Sequence, residues 1–169
     1  MPSPLMDKAQ FWQLIEASKN KKSDCQKQAA KLEKLLDKLS ADEILGFENI
    51  FTSLLSESYR WDLWAVAYIV NGGCSDDGFE YFRYWLIAQG QTYFEAAIQN
   101  PERAADAARF EEAECEEIRY ATCEPYQSKT GTPIDEVSDG LNYPAEPMGQ
   151  PWNEEDLEAL FPRLWKKFE

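Results

Sequence analysis

Residues 59–90 read YRWDLWAVAYIVNGGCSDDGFEYFRYWLIAQG, and nine of these thirty-two residues are aromatic. Charges stand among the rings at Arg60, Asp62, Asp76, Asp77, Glu80 and Arg83. Ions among aromatics have to be paired or solvated, because burying an isolated charge is costly, so the segment is more than plain core. Its pattern gives two helices. The first runs from about Arg60 to Val70 and stops at Asn71-Gly72-Gly73, where glycine supplies a left-handed C-cap. Ser75 caps the second, Asp76 and Asp77 occupy its first turn, where acids offset the helix dipole, and Gly90 ends it. Folded as an antiparallel hairpin about residue 73, the helices set Asp62 level with Arg83 or Tyr84, and Val66 with Glu80. An Asp62–Arg83 ion pair, extended by Arg60, is the expected lock.

On the N-terminal side the punctuation is helical. Asp7 and Gln10 make a capping box with Met6 placed to staple onto Phe11, Ser23 and Gln26 repeat the device, and Ser40 and Glu43 make a third with Leu39 set against Ile44. Cys25, Ala29, Leu32, Leu35, Leu36 and Leu39 recur on one helical face, opposite Lys27, Lys31, Lys34 and Lys38. The next helix is expected to bury Ile44, Phe47, Phe51, Leu54 and Leu55. On the C-terminal side a short helix covers about Thr92 to Gln99, and Asn100-Pro101 starts another, with Asn as N-cap and Pro at the first helical position. The run FEEAECEEIRYATCE, residues 110–124, reads as one acidic helix carrying Glu111, Glu112, Glu114, Glu116 and Glu117, which Pro125 should end or kink. Residues 132–152 hold four prolines and read as a surface loop. One helix follows, capped by Asn153 and bringing Leu157, Leu160, Phe161, Leu164, Trp165 and Phe168 back to the body. The expectation is an all-α fold: a single compact multi-helix domain over residues 1–169, with a central antiparallel hairpin and a long proline-rich loop before the last helix.

Bulk properties narrow the function classes. Of 169 residues, 44% are hydrophobic and 14% aromatic, which places the chain among folded globular proteins of one-domain size. The longest apolar run, Leu63 to Val70, falls well short of the roughly 18 residues that suggest a membrane span. The start, MPSPLMDKAQ, lacks the basic and apolar regions of a signal peptide, so a soluble cytoplasmic protein with no membrane partner is expected. Cys25, Cys74, Cys115 and Cys123 form no CxxC pair. Cys115 and Cys123 on one helix would lie about 12 Å apart, too far to bond, and all four are expected as reduced thiols. The net charge of -14 is uneven, at +3 over residues 1–40 and -17 over the rest. So acidic a body is repelled by phosphate, which argues against nucleic acid, and it suits a basic protein partner.

The block RWDLWAVAYIVNGGCSDDGFEYFRYWLIAQG, residues 60–90, resembles the hallmark of a bacterial family known as domain of unknown function 4240. DKAQFWQLIE (7–16), EEAECEEIRYATCE (111–124) and LFPRLWKKF (160–168) are similar to that family's flanking segments. The resemblance implies a small, mainly helical, soluble bacterial domain, and it carries over no catalytic residues.

The chain has no histidine, which removes the commonest general base and every Ser-His or Cys-His pair. Ser18-x-x-Lys21 and Lys129-Thr130-Gly131 echo serine acyl-transfer motifs only as short chance strings. Gly72-Gly73 before a helix offers amides to an anion, but Asp76 and Asp77 repel phosphate there. Cys74 beside that turn has the position of a lowered-pKa thiol, against a simple packed one. No cofactor or metal motif is present. The leading reading is a binding or regulatory module with an acidic surface that neutralises a basic partner. Arg60, Trp61, Asp62, Tyr68, Asn71, Asp76, Asp77 and Arg83 are its candidate binding residues, since aromatics and arginine dominate interface energy. One alternative is a small-molecule sensor in which Arg60 or Arg83 anchors a small anionic ligand in an aromatic pocket. The other is an enzyme using Mg²⁺ or Mn²⁺ on Asp62, Asp77, Glu80, Glu114 and Glu117.

Overall fold

The computed structural model describes residues 6–139 and 145–169. In chain order the α-helices are α1 (Lys8–Ser18), α2 (Cys25–Asp37), α3 (Ala41–Glu57), α4 (Trp61–Val70), α5 (Asp76–Ala88), α6 (Gln91–Gln99), α7 (Cys123–Thr130), α8 (Leu157–Leu160) and α9 (Pro162–Phe168). Short 3-10 helices lie at Pro101–Ala105, Glu116–Tyr120, Ile134–Glu136 and Glu154–Asp156. Among the described residues there is no strand beyond one isolated bridge between Arg60 and Met148. The fold is all-α. Its backbone gathers into two compact units, Met1–Leu54 with Cys115–Asn142 and Leu55–Glu114 with Tyr143–Glu169. The first crossing from one to the other falls inside α3.

The first unit is built on local capping and a phenylalanine core. The Asp7–Gln10 capping box opens α1, and Ser40 and Glu43 exchange the same two bonds before α3, each at 3.2 Å. At α2 the cap sits one residue later than the sequence suggests: Asp24 accepts from the Lys27 amide, while Ser23 turns into the left-handed region at φ 53°. Phe11 packs on Phe47 and Phe51, with ring centroids 4.5 and 6.4 Å away, and Ile15, Leu32, Leu36 and Ile44 are fully buried beside them. Each such side chain contributes roughly 1.5–3 kcal/mol on burial. Buried Glu48 is held by Arg119 and by the Thr122 hydroxyl, each 2.8 Å from its Oε1.

The acidic run does not form the expected helix. Residues 110–114 are turn and coil, and only Glu116–Tyr120 winds, as a 3-10 helix. Glutamate and alanine favour helix, but Ala113, Cys115 and Ile118 have to be buried, and that spacing does not repeat on one α-helical face. Cys115 and Cys123 therefore lie on different elements. Pro125 neither ends nor kinks a helix. It sits buried in the first turn of α7, where the N–H it lacks would have no intrahelical partner in any case. Nor are all four cysteines reduced thiols: Cys25 and Cys115 are disulfide-bonded, with Cα atoms 5.6 Å apart. Cys74 and Cys123 are free.

In the second unit α4 is the most buried element, with Leu63, Ala65, Val66, Ala67, Ile69 and Val70 all inside. It packs against α5, α9 and the 3-10 helix Pro101–Ala105, the last begun by Asn100 capping the Glu102 amide as the Asn-Pro pair suggests. Part of the proline-rich segment is a clasp on the start of α4. Met148 donates its amide to the Tyr59 carbonyl and accepts from the Trp61 amide, at 3.0 and 2.9 Å, and the Trp152 indole donates to the Trp61 carbonyl at 2.6 Å. The final helix is divided at Pro162 into α8 and α9, so Leu157, Leu164 and Phe168 are buried while Leu160 is exposed. No helix among the described residues is long and apolar enough to cross a membrane.

Candidate functional site

The visible face of α4 is aromatic. Trp61, Trp64 and Tyr68 are half-buried, and their spacing puts them on one side of the helix. Trp61 stacks on Trp64 with 11° between planes, Trp64 stacks on Phe79, and the Trp64 indole donates to the Cys74 carbonyl at 2.9 Å. Trp152 meets Trp61 and Tyr68 edge-on, with centroids 6.1 and 5.7 Å apart. Burial raises the Tyr68 phenol pKa, and the Glu154 carboxylate, which takes its hydrogen bond, raises it further.

The C-terminal end of α4 is fixed by a polar latch. The Asn71 side chain donates to the Ala113 carbonyl and accepts from the Ala113 amide, both at 3.1 Å. The Glu111 amide donates to the Val70 carbonyl although Glu111 has φ 62°, a left-handed conformation that costs a non-glycine residue about 1–2 kcal/mol. The latch sets Phe110 directly over Gly72. Gly72 has φ +67°, and a Cβ there would stand 2.9 Å from the Phe110 ring, so this position needs glycine for both its conformation and its space.

Between these pieces lies a cleft of about 250 Å³ lined by the aromatic Tyr68, Phe110, Trp165 and Phe168 together with Ile69, Gly72 and Glu169. Phe110 remains 49% exposed. Exposed acids occupy the segments that supply the walls: Glu111, Glu112 and Glu114 follow Phe110, Asp76 and Asp77 follow the Gly72-Gly73 turn, and Glu154 is bonded to Tyr68. Aromatic faces carry the negative end of a quadrupole and attract cations. Lys167 shows that affinity within the chain, its ammonium lying 5.2 Å from the centre of the Phe168 ring.

The sequence-derived residues separate into distinct settings. Tyr68 lines the cleft, Trp61 lies further up the same face, and Asn71 builds the latch. Arg60 is the N-cap residue of α4, and its guanidinium donates to the Glu57 carbonyl at 3.0 Å. Asp62, Asp76 and Asp77 are exposed. Arg83 is only 1% exposed. It donates to the Leu55 and Phe79 carbonyls and lies over the Tyr59 and Phe79 rings at 5.0 and 4.6 Å. Glu80 accepts from the Tyr84 hydroxyl at 2.5 Å.

Within the second unit, Asp62, Asp77, Glu80 and Glu114 form no group of metal-type ligands. The sole such group among the described residues is Cys25, Cys115 and Glu117 in the first unit. Burial, reinforced by Glu114, pushes the Cys74 thiol up to about 12, which suits a packed thiol rather than a nucleophile. Sequence reasoning did not assign Phe110, Trp152, Trp165 or Phe168 to a site. Trp165 and Phe168 could have been noticed as aromatics on the only amphipathic stretch of the C-terminal tail, whereas Phe110 gave no local signal.

The family described as "Protein of unknown function (DUF4240)" matches residues 6–128. That span takes in α1 to α6 and the latch, but not the C-terminal segment that supplies Trp152, Trp165 and Phe168, so the likeness of LFPRLWKKF lies outside it. No curated protein and no solved structure matches the chain. With the family match covering well over half of its length, the chain belongs to the DUF4240 family of proteins of unknown function.

Proposed function

We propose that this protein is a protein-binding module that captures a cationic side chain, arginine or lysine, of a basic partner in the aromatic cleft at the C-terminal end of α4. The observation that carries the reading is the cleft itself, with four aromatic residues and Glu169 in its lining and acids on the surrounding segments. Its volume of about 250 Å³ lies below the roughly 300–1,000 Å³ of drug-sized ligand pockets. It suits one inserted side chain better than a metabolite. Charge supports the same partner, since residues 41–169 carry a net -17 and steer a basic protein toward this surface. The candidate residues Tyr68, Asp76 and Asp77 serve this role directly, and Asn71 serves it through the latch. Arg83, buried against rings and carbonyls, belongs to the scaffold.

The test is a calorimetric titration of the protein with matched short peptides in which a central arginine, lysine, glutamine or glutamate is varied. The reading expects saturable binding of the arginine and lysine peptides, weakened by salt and lost in Phe110→Ala and Trp165→Ala. Equal affinity for the glutamine or glutamate peptide, or unchanged binding by both variants, would refute it.

A further inference from the structure

The first unit holds a second cluster with its own chemistry. Cys25 is the first residue of α2, and Cys115 immediately precedes the 3-10 helix Glu116–Tyr120, which packs on α2. The same 3-10 helix projects Glu117 so that its Oε2 lies 3.0 Å from the Cys25 sulfur. While Cys25 and Cys115 are bonded to each other that sulfur has no proton, so the contact cannot be a hydrogen bond, and two electron-rich atoms face one another. Cys25 is half-buried and Glu117 exposed, which leaves the cluster open to small solutes.

We propose that reduction of the Cys25–Cys115 bond opens a binding site for a thiophilic divalent cation, zinc above all, formed by the two thiolates and the Glu117 carboxylate. A dithiol reductant supplies the two electrons: it leaves as its own disulfide, and its two protons pass to the cysteine sulfurs. Zinc then displaces those two protons and takes two sulfurs and one carboxylate oxygen, with water in the fourth tetrahedral position. The three donor atoms lie within 4.8 Å of one another. Ligands of one tetrahedral zinc are spaced about 3.5–4 Å apart, so once the bond is cut the two sulfurs have to part to that distance around the ion, with the Glu117 carboxylate already beside Cys25. Two thiolates select zinc over magnesium or calcium, which prefer all-oxygen sites. Oxidation closes the site by joining its two sulfur ligands, so the cluster holds either a disulfide or a metal.

The test is an anaerobic cobalt titration of the reduced, metal-stripped full chain, read by thiolate-to-cobalt charge-transfer absorption and followed by displacement with zinc. One equivalent is expected to bind the reduced protein and none the oxidised protein. Cys25→Ser should abolish the charge-transfer band's two-thiolate intensity, and Glu117→Gln should weaken binding by about tenfold or more while keeping the band. Cys115 is buried and its replacement risks misfolding, so the half-buried Cys25 and exposed Glu117 carry the test. Equal cobalt uptake by reduced and oxidised protein, or a Glu117→Gln titration identical to the unaltered one, would overturn the proposal.

Discussion

The two units each hold an arginine against aromatic rings, and they surround it differently. In the first, Arg119 meets Glu48, the Thr122 hydroxyl completes the carboxylate, and the Phe51 ring lies 5.7 Å from the guanidinium. In the second, Arg83 is enclosed by carbonyl oxygens and the rings of Tyr59 and Phe79. The first arrangement neutralises charge with charge, with Glu48 buried and Arg119 partly exposed. The second sets the guanidinium against rings, and the same aromatic system continues through Phe79, Trp64 and Trp61 to the half-buried Trp152 and Tyr68. The rings of the second unit thus run from a buried arginine to a half-buried aromatic face.

Stability should respond most strongly in the first cluster. Arg119→Ala strands Glu48, and removing one partner of a buried pair typically costs about 3–5 kcal/mol. Because Arg119 is itself partly exposed, the lower end of that range is expected in urea unfolding. Arg83→Met keeps the volume but removes the charged donor 2.7 Å from the Leu55 carbonyl, which keeps the Ser58 hydroxyl at 3.2 Å, and a loss of about 1.5–3 kcal/mol is expected in the same assay. If Arg83→Met costs more than Arg119→Ala, the ring-and-carbonyl arrangement is the stronger lock and the comparison reverses.

A pH series sharpens the second side. Burial raises the Cys74 thiol from about 9 to about 12 and the Tyr93 hydroxyl from 10 to about 12. The unfolded chain therefore loses these protons at lower pH than the folded one. Stability is unaffected by either group below about pH 9, falls as pH rises from there to about 12, and levels beyond. Unfolding midpoints measured between pH 8 and 11 should show this decline, and Cys74→Ala should shallow it. The smallest effect is expected for Phe110→Ala: a half-exposed ring contributes little to the fold, and a change under about 1 kcal/mol should accompany loss of peptide binding.

Much of the fold was legible because helix punctuation is local. Asp7 with Gln10, Ser40 with Glu43, Ser75, and the Gly72-Gly73 stop each work within a few residues of chain and stand where the sequence puts them. The acidic run misled for the same reason, since its local propensity is helical while burial of Ala113 and Cys115 and the Asn71 latch are set from more than forty residues away. The Cys25–Cys115 bond spans 90 residues, and no spacing rule reaches so far. Of the cleft, the sequence singled out Tyr68 and the nearby acids. The other walls, Phe110, Trp165 and Phe168, come from two further segments that only the folded chain brings to α4.

Whether the aromatic cleft takes a cationic side chain is read most directly in a two-dimensional NMR titration of the protein with the arginine peptide, following its indole and backbone amide signals. The account predicts shifts concentrated at Trp165, Trp152, Tyr68, Gly72 and Phe110, with the signals around Glu48 and Arg119 unmoved. Shifts centred on the first unit, or no shifts at all at saturating peptide, would contradict it.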